Sequence, residues 1–106
     1  MSRLMRILVF FDLPVQTKGQ RKAASQFRNF LLRDGYHMVQ LSVYSRICNG
    51  TDSVAVHRMR VESAIPACGS IRLLVITEKQ YENMQILLGG PTVYDAPQQM
   101  EQLMLF

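Results

Sequence analysis

Residues 7–14 read Ile7-Leu8-Val9-Phe10-Phe11-Asp12-Leu13-Pro14. Five consecutive large apolar residues run into one carboxylate, and a proline follows almost at once. An unbroken apolar run of this kind reads as a central strand covered on both faces. Pro14 has no N–H to give to a ladder and pushes Leu13 toward extended backbone, so the strand, spanning roughly 5–13, stops there. Asp12 therefore falls at the carboxyl end of a buried strand. It is the only acid before Asp34. A carboxylate so placed is costly without a metal, a cation or donor hydrogen bonds.

The 106 residues suffice for one domain. A chain of this length typically buries about two thirds of its unfolded surface and needs no staples. A hydrophobic content of 48% with four prolines fits a folded globule. No run is long enough to span a bilayer and no leader pattern is seen, so the expectation is a cytoplasmic protein without a membrane partner. Cys48 and Cys68 lack CxxC spacing and read as free buried thiols rather than zinc ligands. The charge is uneven. Residues 1–60 carry ten Lys/Arg against three acids, and residues 61–106 carry two against five. The basic first half suggests a polyanionic partner, with solubility as the plain alternative.

Outward from the first strand, the pattern turns helical over 18–33. Ala23, Phe27, Phe30 and Leu31 share one face, and Thr17 is a possible N-cap. The opposite face carries Lys18, Arg21, Lys22 and Arg28. Five Lys/Arg with no acid between positions 18 and 33 make a footprint for phosphates, although a charged helix face is often only solvated. Asp34-Gly35 ends the helix. Residues 36–48 are rich in β-branched and aromatic side chains. They form one long bent strand or two short strands meeting near Leu41-Ser42. Asn49-Gly50-Thr51 is a turn, and Asp52 or Ser53 caps a second helix over 54–65, with Val54, Val61, Ala64 and Ile65 toward the core. Ser70-Ile71-Arg72-Leu73-Leu74-Val75-Ile76-Thr77 is a second apolar strand. Thr77 caps a short helical turn, and 84–88 reads as an edge strand. The chain ends on the apolar tetrad Leu103-Met104-Leu105-Phe106, suited to docking.

The element order predicts an α+β, ferredoxin-like βαββαβ sandwich with extra C-terminal edge strands. It divides into a domain at 1–88 and a tail at 89–106. Two helices cover one sheet face, and a second copy of the chain is the simplest cover for the other. In such a homodimer two Asp12 side chains could share one Mg²⁺, which would help cleave a phosphodiester. The alternative for Asp12 is an acid that caps the following loop. His37 and His57 lack a ligand partner at suitable spacing and read as structural. No Walker loop, dinucleotide fingerprint or base-reading module is present.

Three stretches resemble the small CRISPR-associated endoribonuclease family, the second "Cas" protein and partner of the integrase. They are Met5–Pro14, Gly35-Tyr36 through Gln40-Leu41-Ser42-Val43-Tyr44-Ser45, and Thr77-Glu78-Lys79-Gln80-Tyr81-Glu82-Asn83-Met84. The last is similar to the form found in type II systems. The resemblance implies a homodimer whose Asp12 binds Mg²⁺ between subunits as the catalytic residue of a metal-dependent RNA or DNA endonuclease. It also implies a role in spacer acquisition, in which the dimer bridges two integrase dimers and supports duplex DNA. The assignment of Lys18, Arg21, Lys22 and Arg28 to nucleic acid rests on charge. A non-catalytic DNA-binding adaptor is the competing reading. A small-molecule regulatory domain fits less well, because no glycine-rich ligand loop is present.

Overall fold

A computed structural model describes residues 3–89. It contains β1 (Leu4–Asp12), α1 (Lys18–Arg33), β2 (His37–Gln40), β3 (Val43–Asn49), α2 (Thr51–Ser63), β4 (Ser70–Thr77) and α3 (Glu78–Glu82). The strands form one antiparallel sheet in the order β2-β3-β1-β4. This is the α+β, ferredoxin-like arrangement expected, with β1 central. Residues 36–48 resolve into two strands, joined at Leu41-Ser42, where Ser42 takes a left-handed φ of 63°. The Phe11 N–H donates to the Ser42 carbonyl at 3.0 Å, fastening this turn to the end of β1.

Alternation along β1 sends Met5, Ile7, Val9 and Phe11 to the helical side. There Ile7 and Val9 join Phe27 and Leu31 of α1, Tyr44 and Cys48 of β3, and Val61 of α2 in the core. The Phe11 ring meets Phe27 edge-on at 5.3 Å between centroids. Thr17 begins α1 with a capping box: its hydroxyl accepts from the Gln20 N–H, and the Gln20 side chain returns to the Thr17 N–H. Gly35, at φ 90°, carries the chain out of α1 into β2.

The other sheet face carries Leu4, Arg6, Leu8, Phe10 and Asp12 from β1. Their register partners are Ile47, Ser45 and Val43 on β3, and Arg72, Leu74 and Ile76 on β4. Cover on both faces was the expectation for β1. The helices cover one. Leu8 is shielded by its neighbours, whereas Phe10, Ile47 and Leu74 stand 36%, 45% and 49% exposed. The unbroken apolar run thus reflects two apolar faces, only one of which the helices α1 and α2 cover among the described residues.

At one end of the open face α3 folds over the sheet. Glu78 takes a hydrogen bond from Arg6 at 2.7 Å, and the Arg6 guanidinium lies 4.0 Å from the Tyr81 ring centroid. Arg6 also reaches the buried Ser45 hydroxyl at 3.4 Å, which contacts His37 Nε2 at 3.2 Å. Charge-assisted bonds let an ion pair this shielded persist on an apolar face.

Several expectations are corrected. Residues 84–88 form no strand in the chain: Ile86, Leu87 and Leu88 are 78%, 93% and 96% exposed. A strand needs a ladder partner, and none of the four strands pairs with this segment. The α2 helix starts at Thr51 behind Gly50, whose N–H is anchored to the Arg3 carbonyl, and no side chain caps it. It stops at Ser63, because Pro66 disfavours helical backbone at Ile65, which is 53% exposed rather than core. Cys48 is buried as expected, but Cys68 is exposed in the α2–β4 loop. The terminal tetrad lies outside the described residues. No helix among those described is long and apolar enough to cross a membrane.

Candidate functional site

Asp12 ends β1 on the open face. Its register partner is Ser70, the first residue of β4, while Phe10 faces Arg72. Phe10, Phe11, Asp12, Leu41, Ser42, Val43, Ser70 and Arg72 line one concavity of about 250 Å³. The Asp12 side chain is exposed and makes no hydrogen bond or ion pair among the described residues. It therefore does not cap the loop that follows. What holds its backbone is close packing from behind. Gly69, at φ 113°, has no Cβ, and one placed there would stand 2.6 Å from Leu13 Cδ2 and 2.9 Å from the Asp12 carbonyl oxygen. Only glycine tolerates both that backbone and that approach.

A strand-end acid that is exposed, unpartnered and held from behind is available to a ligand. Among the described residues no group of three His, Cys, Asp or Glu side chains converges. Mg²⁺ does not require one: it commonly takes one or two carboxylates and retains several waters. Asp12, with Ser70 as its register partner on the same concavity, fits one half of such a set. A second concavity, about 320 Å³, lies beyond the strand end between Leu13-Pro14, α1 and Pro66-Ala67-Cys68. Its lining is apolar apart from Thr17 and Gln20, with no carboxylate, so it offers no comparable chemistry.

The basic residues do not join Asp12. Lys18, Arg21, Lys22 and Arg28 are all exposed on the outer face of α1. That helix packs on the opposite side of the sheet through Phe27 and Leu31. Arg21 is also partly engaged, donating to the Val15 and Gln16 carbonyls at 3.2 Å each. The two halves of the sequence-derived site are thus separated by the thickness of the sheet.

One polar assembly and one lone charge are not evident from the sequence pattern. Asp34, at the end of α1, accepts from Arg60 at 2.9 Å and contacts His57 Nδ1 at 2.8 Å, while its main-chain oxygen accepts from Arg46 at 2.5 Å. Burial alone would raise the Asp34 pKa. The hydrogen bonds and charges of His57 and Arg60 outweigh it and leave the carboxyl below its ordinary value. His57 is thus a buried structural histidine. His37 is held down by partial burial and by the Arg6 charge. The lone charge is Arg72. Its signal was available, since it is the one charge inside the apolar run 70–77 and has the parity of the Asp12 face.

The chain is similar to known proteins along nearly its whole length. The family described as CRISPR associated protein Cas2 matches residues 5–84. A "CRISPR-associated endoribonuclease Cas2" of Acidovorax ebreus is 49% identical over 102 residues, covering 96% of this chain and 100% of that protein. Proteins of the same name from Flavobacterium psychrophilum and Ligilactobacillus salivarius are each 44% identical. They cover 95% and 80% of this chain and 89% and 84% of their own lengths.

Proposed function

Because the chain belongs to the CRISPR-associated protein Cas2 family, we propose that it is a CRISPR adaptation endoribonuclease acting through Asp12. The observation that carries this reading is Asp12 itself, an exposed and unpaired carboxylate at the end of the central strand, beside a concavity on the uncovered sheet face. Asp12 is the metal ligand and catalytic residue of the proposal. With Mg²⁺ bound, the site gains a Lewis acid that neutralises charge at a phosphodiester and lowers the pKa of water. Asp12 would hold the cation, and its register partner Ser70 brings a hydroxyl group to the same sheet face. Phe10 and Leu41 give the concavity an apolar wall.

A homodimer completes the site. Leu4, Phe10, Ile47 and Leu74 leave an apolar face on the sheet, and among the described residues the outer edge of β4 has no strand beside it. A second copy packed sheet to sheet would cover this face and bring another Asp12 to the same locality. A stable interface of this type buries on the order of 800 Å² per partner. Single-stranded RNA is the substrate proposed.

The test is cleavage of a single-stranded RNA by purified protein in Mg²⁺ and in EDTA, with Asp12→Ala and Asp12→Asn alongside. Both variants and the EDTA sample should be inactive while sedimenting as wild type does. Equal cleavage by the variants would assign the activity elsewhere.

A second reading is favoured by the separation of the α1 cations from Asp12. In it the protein is an adaptor in spacer acquisition, holding duplex DNA on Lys18, Arg21, Lys22 and Arg28 while it bridges integrase dimers. Charge reversal at Lys18, Lys22 and Arg28 should weaken duplex binding and flatten its salt dependence, with RNA cleavage unaffected. An unchanged salt slope would remove this surface from consideration.

A further inference from the structure

Most arginines of this chain near the sheet are already engaged. Arg6 is held by Glu78, Ser45 and Tyr81, Arg46 by the Asp34 carbonyl, and Arg60 by the Asp34 carboxylate. Arg72 differs. It is exposed, and among the described residues it makes no hydrogen bond, ion pair or ring contact. It lies in the middle of an otherwise apolar strand, on the apolar face rather than the helical one. A charge there is costly once that face is covered, unless an anion meets it.

Asp12 is the nearest candidate anion on that face. The register places Arg72 opposite Phe10 and Asp12 opposite Ser70, so the two are diagonal neighbours. Diagonal pairs in an antiparallel ladder stand roughly 7–8 Å apart, within reach of a long side chain. No ion pair closes between them; both instead line the same 250 Å³ concavity. An unpaired carboxylate and an unpaired guanidinium bordering one cleft leave room for a group that satisfies both. A phosphodiester is such a group. Its non-bridging oxygens match the planar guanidinium fork, and its reacting phosphorus needs what a carboxylate positions.

We propose that Arg72 is a phosphate-contacting residue of the Asp12 site, holding a non-bridging oxygen of the single-stranded substrate. This rests on the assignment of Asp12 under the proposed function. It adds a residue that fixes the substrate's phosphate relative to the carboxylate and supplies positive charge where negative charge builds up.

The experiment uses full-length protein with Arg72→Gln, Arg72→Lys and Asp12→Asn. Two quantities are read: single-turnover cleavage of single-stranded RNA in Mg²⁺, and the salt dependence of binding to a fluorescent 2′-O-methyl oligoribonucleotide. Sedimentation checks the mass of each variant. Arg72→Gln should cleave about 10²-fold more slowly, as for loss of one oriented donor at a developing charge. Its salt slope should fall by about 0.7, the value for one phosphate contact on a single strand. Arg72→Lys should keep the slope and recover part of the rate. If Asp12→Asn is inactive and Arg72→Gln matches wild type in both readouts, the Arg72 assignment is wrong and the Asp12 reading stands. If Asp12→Asn cleaves normally while Arg72→Gln still lowers the slope, the Asp12 reading fails and the phosphate contact stands. If Arg72→Gln loses activity only through an altered mass, with its slope intact, Arg72 is an interface residue and the proposal is overturned.

Discussion

Replacing Asp34 by alanine removes the carboxylate that fastens the end of α1 to His57 and Arg60 of α2. Its side chain is 9% exposed and that of His57 10%, so their 2.8 Å contact is shielded from water. A hydrogen bond involving a charged group contributes about 1.5–3 kcal/mol, so this contact is taken at about 2 kcal/mol. The Arg60 side chain is 56% exposed, and solvent screening limits its share to about 0.5 kcal/mol. Stranding the buried His57 ring adds part of its desolvation cost, bringing the expected loss to about 3 kcal/mol at pH 7. For a domain of this size that lowers Tm by roughly 15 °C. Urea titration followed by circular dichroism measures it. The pH dependence carries the sharper test. The Asp34 pKa lies below its ordinary 3.8 in the folded protein. Its contribution is therefore complete above that value and is lost as pH falls through the lower, folded one. The wild-type advantage over Asp34→Ala should shrink as pH falls below 3.8. A loss below about 1 kcal/mol at pH 7, or a difference that does not shrink in acid, would refute the clamp.

Two further substitutions probe the sheet. Glu78→Ala strands the Arg6 guanidinium in a site where both side chains are about nine-tenths buried, and should cost about 3 kcal/mol. The double variant Arg6→Met/Glu78→Leu should be closer to wild type, and a urea double-mutant cycle reads the coupling. Gly69→Ala should reduce RNA cleavage far more than Gly50→Ala. Both positions have left-handed backbone, but only at Gly69 does a Cβ press on Asp12 and Leu13, whereas at Gly50 it meets nothing within 4 Å. Equal effects would mean that backbone strain alone, and not the placing of Asp12, is being measured.

The helices and strands were legible because their periodicities differ. The 3.6-residue recurrence of Ala23, Phe27 and Leu31 against a basic stripe, and the apolar run before Pro14, each admit few structures. The strand 70–77 and the capped turn after it were legible for the same reason. The residues 84–88 were not, since an apolar stretch with strand composition specifies no partner, and none of the four described strands pairs with it. The open face was half legible: an apolar run shows that two faces are apolar, not which of them the chain covers. The Asp34 clamp joins residues 23 and 26 positions apart, and local spacing cannot reveal it. Asp12 was legible as an acid at a strand end. Its lack of a partner among the described residues, and the company of Ser70 and Arg72, depend on a register between β1 and β4 that pattern alone does not fix.

The placement of Asp12 and the α1 cations on opposite sides of the sheet bears on how ligands compete. A nucleic acid resting on the helical side does not pass over the concavity unless it wraps around the sheet edge. Occupancy of one side therefore carries no steric penalty for the other. The core between them is built on the apolar side chains of Ile7, Val9, Phe27 and Leu31. Duplex DNA in excess should then leave RNA turnover unchanged, and the two ligands should saturate independently, each with its own salt dependence.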